Sequence, residues 1–166
     1  MPLTPESSVH EKYDRIVRRL IEKKQRIATM ESCTGGLLAS LLTDTEGASA
    51  IFRGSFVAYS NEVKVAEGVP AEIIDTYGVY SQQTADAMAS VCRAAFEADF
   101  GVGITGSFGN VDPANADSVP GEVYFSIEHA NGTARVHCTV PPQPSRLDYK
   151  LYMANLVADQ LLELIG

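Results

Sequence analysis

Apolar side chains recur along this chain with two different periods. Between residues 6 and 24, Val9, Tyr13, Ile16, Val17, Leu20 and Ile21 fall on one stripe at helical spacing, which predicts an amphipathic helix. A second stripe, Ala85, Met88, Ala89, Val91, Cys92 and Ala95, follows Ser81, a good capping residue, and predicts a long helix to about Glu97. A third follows Ser145 and carries Leu147, Leu151, Met153, Ala154, Leu156, Val157, Leu161, Leu162 and Leu164 to about Ile165. Short apolar runs lie between these helices. Residues 26–31, 52–59 and 100–105 read as strands, and 122–129 and 133–140 flank Asn131-Gly132, a strong hairpin signal. Pro141-Pro142 ends the last of them. Shorter helices are expected at 33–43, 61–67 and 71–76, the last two separated by Gly68-Val69-Pro70, with Gly78 ending the series.

Strands that alternate with helices and close on one antiparallel hairpin predict an α/β fold. The expected form is a three-layer α/β/α sandwich around a mixed, mostly parallel sheet with a C-terminal antiparallel hairpin. The 166 residues fit a single domain spanning 1–166, with no repeat, linker or low-complexity tract. In such sheets ligands collect beyond the carboxyl ends of parallel strands. The loops after 26–31, 52–59 and 100–105 all emerge at that edge. The loop over 106–120 is long for a compact domain, which fits either a functional segment or a plain surface excursion.

Charge narrows the partners. A formal net charge of −8 argues against a binder of nucleic-acid backbones, and the basic residues Arg15, Arg18, Arg19, Lys23, Lys24 and Arg26 read as the solvated face of the first helix. No run approaches the roughly 18 apolar residues that span a membrane. The start, Met1-Pro2-Leu3-Thr4-Pro5-Glu6, lacks the basic and apolar regions of a secretory signal. Cys33, Cys92 and Cys138 are widely spaced without a CxxC pair, which fits reduced thiols and a cytoplasmic location. No His/Cys pattern suggests a metal, and no cofactor is expected.

The candidate chemistry lies in Arg26-Ile27-Ala28-Thr29-Met30-Glu31-Ser32-Cys33-Thr34-Gly35-Gly36-Leu37, a strand running into a helix. Ser32 sits at the junction, with Thr34, Gly35 and Gly36 expected just inside the helix. Paired glycines at a helix start suggest close approach to the backbone, and the free N–H groups there suit an oxyanion. A hydroxyl beside such donors is half of a serine hydrolase site, although capping is the commoner use of a serine in this position. Cys33, one residue further on, should point about 100° away toward the core. His10, His129 and His137 all lie far from these motifs, so lysine is the better candidate base. Between residues 25 and 149 the only lysine is Lys64, in Tyr59-Ser60-Asn61-Glu62-Val63-Lys64-Val65. Near the start of a short helix and between two valines, it is placed for a lowered pKa, as a lysine base requires. Alone it would read as an ordinary surface lysine; Ser32 gives it a partner.

Glu31-Ser32-Cys33-Thr34-Gly35-Gly36, Phe52-Arg53-Gly54, Tyr59 to Lys64 and Gly68-Val69-Pro70 together resemble the C-terminal domain family of the CinA-type competence/damage-inducible proteins, over nearly the whole chain from Tyr13 onward. That family includes stand-alone nicotinamide mononucleotide (NMN) deamidases. The resemblance implies a cytoplasmic serine amidohydrolase of pyridine nucleotide metabolism that releases ammonia from the NMN carboxamide. Ser32 would be the nucleophile, Lys64 the general base and Tyr59 an assisting hydroxyl. Thr34, Gly35, Gly36, Thr105, Gly106 and Arg146 would bind substrate. The partner implied is a pyridine mononucleotide, with no nucleic acid and no membrane, and self-association into a homo-oligomer is expected. One stretch departs from the family. Gly103-Ile104-Thr105-Gly106 is kept, but Ser107-Phe108-Gly109-Asn110-Val111-Asp112-Pro113 replaces a Gly/Pro-rich continuation. If Phe108, Asn110 and Asp112 border the pocket, they change the space and charge that a ligand meets. A nucleotide-binding protein without turnover, or a hydrolase of another small amide, are the other readings.

Overall fold

In a computed structural model the described residues are 5–166; of the stretch Met1 to Glu6 on which the expectation about a leader rests, Met1 to Thr4 lie outside the described residues. The elements follow the order α1 (Pro5–Lys23), β1 (Ile27–Glu31), α2 (Leu37–Leu42), β2 (Phe52–Val57), α3 (Asn61–Glu67), α4 (Ala71–Tyr77), α5 (Gln82–Ala95), β3 (Phe100–Gly106), β4 (Glu122–His129), β5 (Gly132–Thr139) and α6 (Arg146–Ile165). One five-stranded sheet has the order β2-β1-β3-β4-β5. β1 pairs in parallel with β2 and with β3, while β4 is antiparallel to both β3 and β5. The α/β class with a mixed sheet and a C-terminal hairpin is therefore as expected.

Alternation along the strands sorts the two faces. Ile27 of β1 and Phe100, Val102 and Ile104 of β3 join α1, α2 and α6 in the larger core. Ala28 and Met30 point the other way, onto Met88 and Cys92 of α5. The β3 residues on the α5 side are glycines, and packing is the reason. A Cβ on Gly103 would stand 2.5 Å from the Ala89 nitrogen and 2.8 Å from the Met88 Cβ, and one on Gly101 would stand 2.6 Å from the Arg93 Cβ. Helix α5 thus rests directly on the strand backbone. On the opposite face the Tyr13 hydroxyl donates to the Ala154 carbonyl at 2.9 Å, tying α1 to α6. No helix of the described residues is long and apolar enough to cross a membrane.

Two elements are shorter than their sequence suggests. The helix expected over 33–43 is confined to Leu37–Leu42, because Gly35 (φ 59°) and Gly36 (φ 102°) take left-handed conformations that no helix contains. The strand expected to reach residue 59 ends at Val57, which frees Tyr59 to turn toward α3. Ser60 caps α3, its Oγ accepting from the Val63 N–H at 3.2 Å, and Ser81 and Ser145 cap α5 and α6 in the same way. The chain runs from β1 through α2 to β2 on one side, and through α3 to α5 to β3 on the other. The carboxyl end of β1 is therefore a switch point, the usual place for a ligand crevice.

Gly103→Ala tests the contact between β3 and α5. The added methyl cannot be accommodated by a side-chain rotation, so the variant should lose roughly 1–3 kcal/mol in urea unfolding. A variant of unchanged stability would show that α5 can lift off the sheet.

Candidate active site

The crevice at the end of β1 is a cavity of about 560 Å³ bordered by Ser32, Tyr59, Asn61, Tyr80, Gly106, Phe108 and Arg146 among others. Ser32 follows β1, its N–H donating to the Ile104 carbonyl of β3 at 3.1 Å, which fixes the backbone that carries the hydroxyl. It does not cap α2, as it would have under the plainer reading. The cap of α2 is Glu31. This carboxylate has no exposure, and accepts from the N–H groups of Leu38 and Ala39 at 2.9 Å each and from the Thr34 hydroxyl at 2.6 Å. Anionic oxygen at a helix N-terminus gains from both the free donors and the dipole. Sequence reasoning gave Glu31 no role. Its signal was a carboxylate ending a strand whose neighbours were all apolar or small.

That arrangement corrects the expectation for Thr34, Gly35 and Gly36. None of the three borders the cavity. Thr34 is fully buried with its hydroxyl on Glu31, and the Gly35 N–H donates to the Ser32 carbonyl at 3.0 Å. The glycines serve the turn that their positive φ angles allow, and the anion approaching the helix start is the protein's own. Thr105 is likewise withdrawn, fully buried with its hydroxyl on the Val79 carbonyl at 3.0 Å. Gly106 does reach the cavity, and its lack of a side chain makes room for β4, since a Cβ would stand 2.7 Å from the Glu122 carbonyl oxygen.

Lys64 meets Ser32 across the crevice. Its side chain is only 1% exposed, and its Nζ lies 3.0 Å from Ser32 Oγ and 3.0 Å from the Tyr59 carbonyl oxygen. Burial pulls the ammonium down to about 8, against the opposing charges of Asp112 and Glu62. Lys64 Nζ donates in both hydrogen bonds, to Ser32 Oγ and to the Tyr59 carbonyl. Cys33 borders the cavity yet is 4% exposed and packed in the core, and burial pushes its thiol up to about 12. It is no competing nucleophile.

Tyr59 acts differently from the expected assisting hydroxyl. It is the carbonyl that holds Lys64; the side chain is 65% exposed, and its hydroxyl accepts from Arg146 at 3.4 Å. Arg146, the first residue of α6, also donates to Asn110 Oδ1 at 2.9 Å and lies over the Phe108 ring, 5.6 Å from its centroid. The segment that departs from the family therefore does border the cavity: Phe108 is buried against Tyr149 with ring centroids 5.3 Å apart, and Asn110 and Asp112 are in the lining. Asn61, from the Tyr59–Lys64 motif, also borders it, as do Tyr80 and Asn115, which carried no motif. Asn61 donates to Asn115 Oδ1 at 2.8 Å, linking the start of α3 to the long loop. Among the described residues no group of three or more His, Cys, Asp or Glu side chains is arranged to hold a metal ion, and His10, His129 and His137 lie outside the lining.

Comparison with known proteins bears on the family and the fold. A family model described as the CinA C-terminal domain matches residues 9–164. A CinA-like protein of Leptospira borgpetersenii serovar Hardjo-bovis is 37% identical over 144 residues, which is 86% of this chain and 34% of the relative. A putative competence-damage inducible protein of Acetivibrio thermocellus is 40% identical over 117 residues, 70% of this chain and 28% of the relative. The chain thus spans about a third of the length of these relatives. Among solved structures it is similar to the competence/damage inducible protein CihA from Agrobacterium tumefaciens, with a TM-score of 0.88, 30% identity and full coverage of both chains. A CinA superfamily protein from Escherichia coli shares the fold at a TM-score of 0.86 and 24% identity, over 99% of this chain and 94% of that one.

The buried amine has a signature in stability. An unfolded lysine keeps its proton to about 10.5, whereas Lys64 in the fold gives it up at about 8, so between these values the unfolded chain binds more protons and stability rises with pH. Below that window the cost of burying the charge is present in full. Lys64→Met should therefore be more stable than the native chain at pH 7, and the gap should narrow by pH 9.5 in parallel urea titrations. A gap that is the same at both pH values would show that Lys64 does not titrate there.

Proposed function

This chain belongs to the CinA C-terminal domain family, and we propose that it is a Ser/Lys amidohydrolase that converts NMN to nicotinic acid mononucleotide and ammonia. Membership of the family supports a nicotinamide-nucleotide amidase-like or competence/damage-inducible function. The observation that carries the finer reading is the buried pair in which Lys64 Nζ lies 3.0 Å from Ser32 Oγ.

At pH 7 roughly a tenth of the molecules hold Lys64 neutral, given a pKa of about 8, which suits a general base near its working pH. Neutral Lys64 takes the hydroxyl proton as Ser32 Oγ bonds to the carboxamide carbon, and the carbonyl π electrons move onto oxygen. With the N–H groups of Gly35, Leu38 and Ala39 committed inside the turn, we assign the oxyanion to backbone donors at Cys33 and at the loop beginning with Gly106, which border the cavity beside Ser32. Collapse breaks the carbon–nitrogen bond, and the proton held by Lys64 passes to the leaving amine, which departs as ammonia. Water, deprotonated by the same amine, then cleaves the acyl-serine to the carboxylate. Throughout, the Tyr59 carbonyl keeps the Nζ aimed at the hydroxyl. Arg146, at the cavity mouth, supplies the positive charge for a phosphate. No metal or organic cofactor takes part in this scheme.

A second reading, a ligand-binding protein without turnover, draws on Asp112 and Phe108 in the lining. Ammonia release from NMN separates the two. Ser32→Ala should abolish release while the chain still unfolds cooperatively. Lys64→Arg should be nearly as damaging as Lys64→Ala, because arginine does not deprotonate near neutral pH. The native rate should climb with pH and level off above about 8. A Lys64→Arg chain that kept most of its rate would make Lys64 an electrostatic binder; NMN that raises the melting temperature without yielding ammonia would favour the second reading.

A further inference from the structure

Resting on the amide-hydrolysis reading above, we propose that Asp112 is a specificity-determining residue whose fixed carboxylate is the counter-charge for the cationic N-substituted pyridinium ring of the substrate. The site then prefers a positively charged ring over a neutral one of the same shape.

The carboxylate is held from several sides. Oδ2 accepts from the Tyr80 hydroxyl at 2.5 Å and from Asn115 Nδ2 at 2.7 Å, and Oδ1 accepts from the Ala114 N–H at 2.9 Å. The Asp112 N–H donates to Ser118 Oγ at 2.8 Å. Asn115 is in turn anchored to Asn61 at the start of α3. A group pinned this way cannot swing out of the cavity when a ligand enters.

All of these partners are neutral. Among the described residues Asp112 forms no direct ion pair, and the cation that acts on it, Lys64, does so without a contact between them. The same hydrogen bonds, those from Asn115 and Tyr80 first, hold its carboxyl below the usual range, and it stays ionised at neutral pH.

The charges also have an order. Asp112 and Glu62 border the cavity with Ser32, and both act on Lys64. Arg146 is exposed at the mouth, with its guanidinium on Asn110 and Tyr59. Cys33, also facing Lys64, stays a neutral thiol because burial pushes it up to about 12. Inward from the mouth the cavity therefore presents positive, negative, then the Ser32–Lys64 pair. A pyridinium mononucleotide presents a negative phosphate, a positive ring, then the carboxamide. The two sequences are complementary. The lone exposed Arg146 would leave a phosphate next to Asp112 poorly compensated if the order were reversed.

Reduced NMN provides the comparison, because it keeps the carboxamide, ribose and phosphate on an uncharged dihydropyridine ring. The two amides differ in intrinsic reactivity, a factor that cancels when the NMN-to-reduced-NMN ratio of kcat/KM for a variant is divided by that of the native chain. Asp112→Asn should lower this ratio about tenfold, as loss of a nearby charge in a partly buried site implies. Asp112→Glu, which keeps the charge, and Tyr80→Phe, which keeps the carboxylate, should hold it within about threefold of native. Asp112→Ser is the neutral substitute should the asparagine variant not fold. An unchanged ratio in the neutral variants overturns the proposal, as does an equal fall in Asp112→Glu. Binding of both compounds to Ser32→Ala, by calorimetry, reads the preference without turnover. A native chain that releases no ammonia defeats the hydrolase reading alone. A tenfold fall in binding preference on adding Asp112→Asn to Ser32→Ala would still support the ring-charge inference, and no fall would overturn it.

Discussion

A carboxylate with no access to water must be met on every side, and Glu31 is such a group. Its oxygens collect the first usable N–H groups of α2 and the Thr34 hydroxyl, with the Thr29 hydroxyl at 3.3 Å. Those bonds dictate the turn between β1 and α2: the chain must double back within five residues so that the helix start faces the strand end. Gly35 and Gly36 are the residues that permit it. Ser32 is the residue left at the outside of that turn, its N–H on β3 and its hydroxyl in the crevice. Ser32 is positioned by a buried carboxylate, and the anion-binding capacity of the helix start is used up in doing so.

Lys64 is the complementary case. A lysine amine is rarely buried because desolvation disfavours its charge, and here that penalty brings its neutral form toward neutral pH. The short α3 helix, capped by Ser60, swings the side chain under Tyr59, whose carbonyl fills one hydrogen-bond position and leaves Ser32 as the other neighbour. Ser32 arrives from the end of β1 and Lys64 from beyond the end of its neighbour β2. The parallel pairing of β1 with β2 thus brings two residues 32 positions apart into a 3.0 Å contact.

Much of this was legible in the sequence, for identifiable reasons. The stripes behind α1, α5 and α6, and the serines that cap α5 and α6, are local signals with local causes, and they match. Ser32 and Lys64 could be paired because so few lysines and histidines compete for the role. What the sequence hid depended on contacts between distant segments. The glycines at 35 and 36 suggested a ligand at the backbone, because nothing local distinguishes a glycine that admits a phosphate from one that admits a left-handed turn. Thr34 and Thr105 looked like pocket hydroxyls, but their partners, Glu31 and the Val79 carbonyl, are supplied by the surrounding fold. Tyr59 was placed correctly near the base while the atom responsible was its carbonyl, which no side-chain motif encodes. Tyr80 and Asn115 had no signal at all, since they matter only through Asp112.

Asp112 also bears on the chemistry at Lys64. Burial alone would drive the amine further down, to a neutral form abundant at pH 7 but weakly basic; a nearby negative charge favours the protonated form that appears once the Ser32 proton has moved. Burial and the carboxylates thus act in opposite senses, with desolvation the larger, and the result is near 8. A loop that departs from the usual Gly/Pro-rich continuation can retain this balance only if its charge is fixed in place, because a mobile carboxylate would ion-pair with Arg146 or face solvent and lose its hold on Lys64. The hydrogen bonds from Tyr80, Asn115 and Ala114 meet that requirement. They give the departure in the loop a physical sense: it brings in a charge together with the neutral scaffold that keeps the charge where the amine and the ligand both feel it.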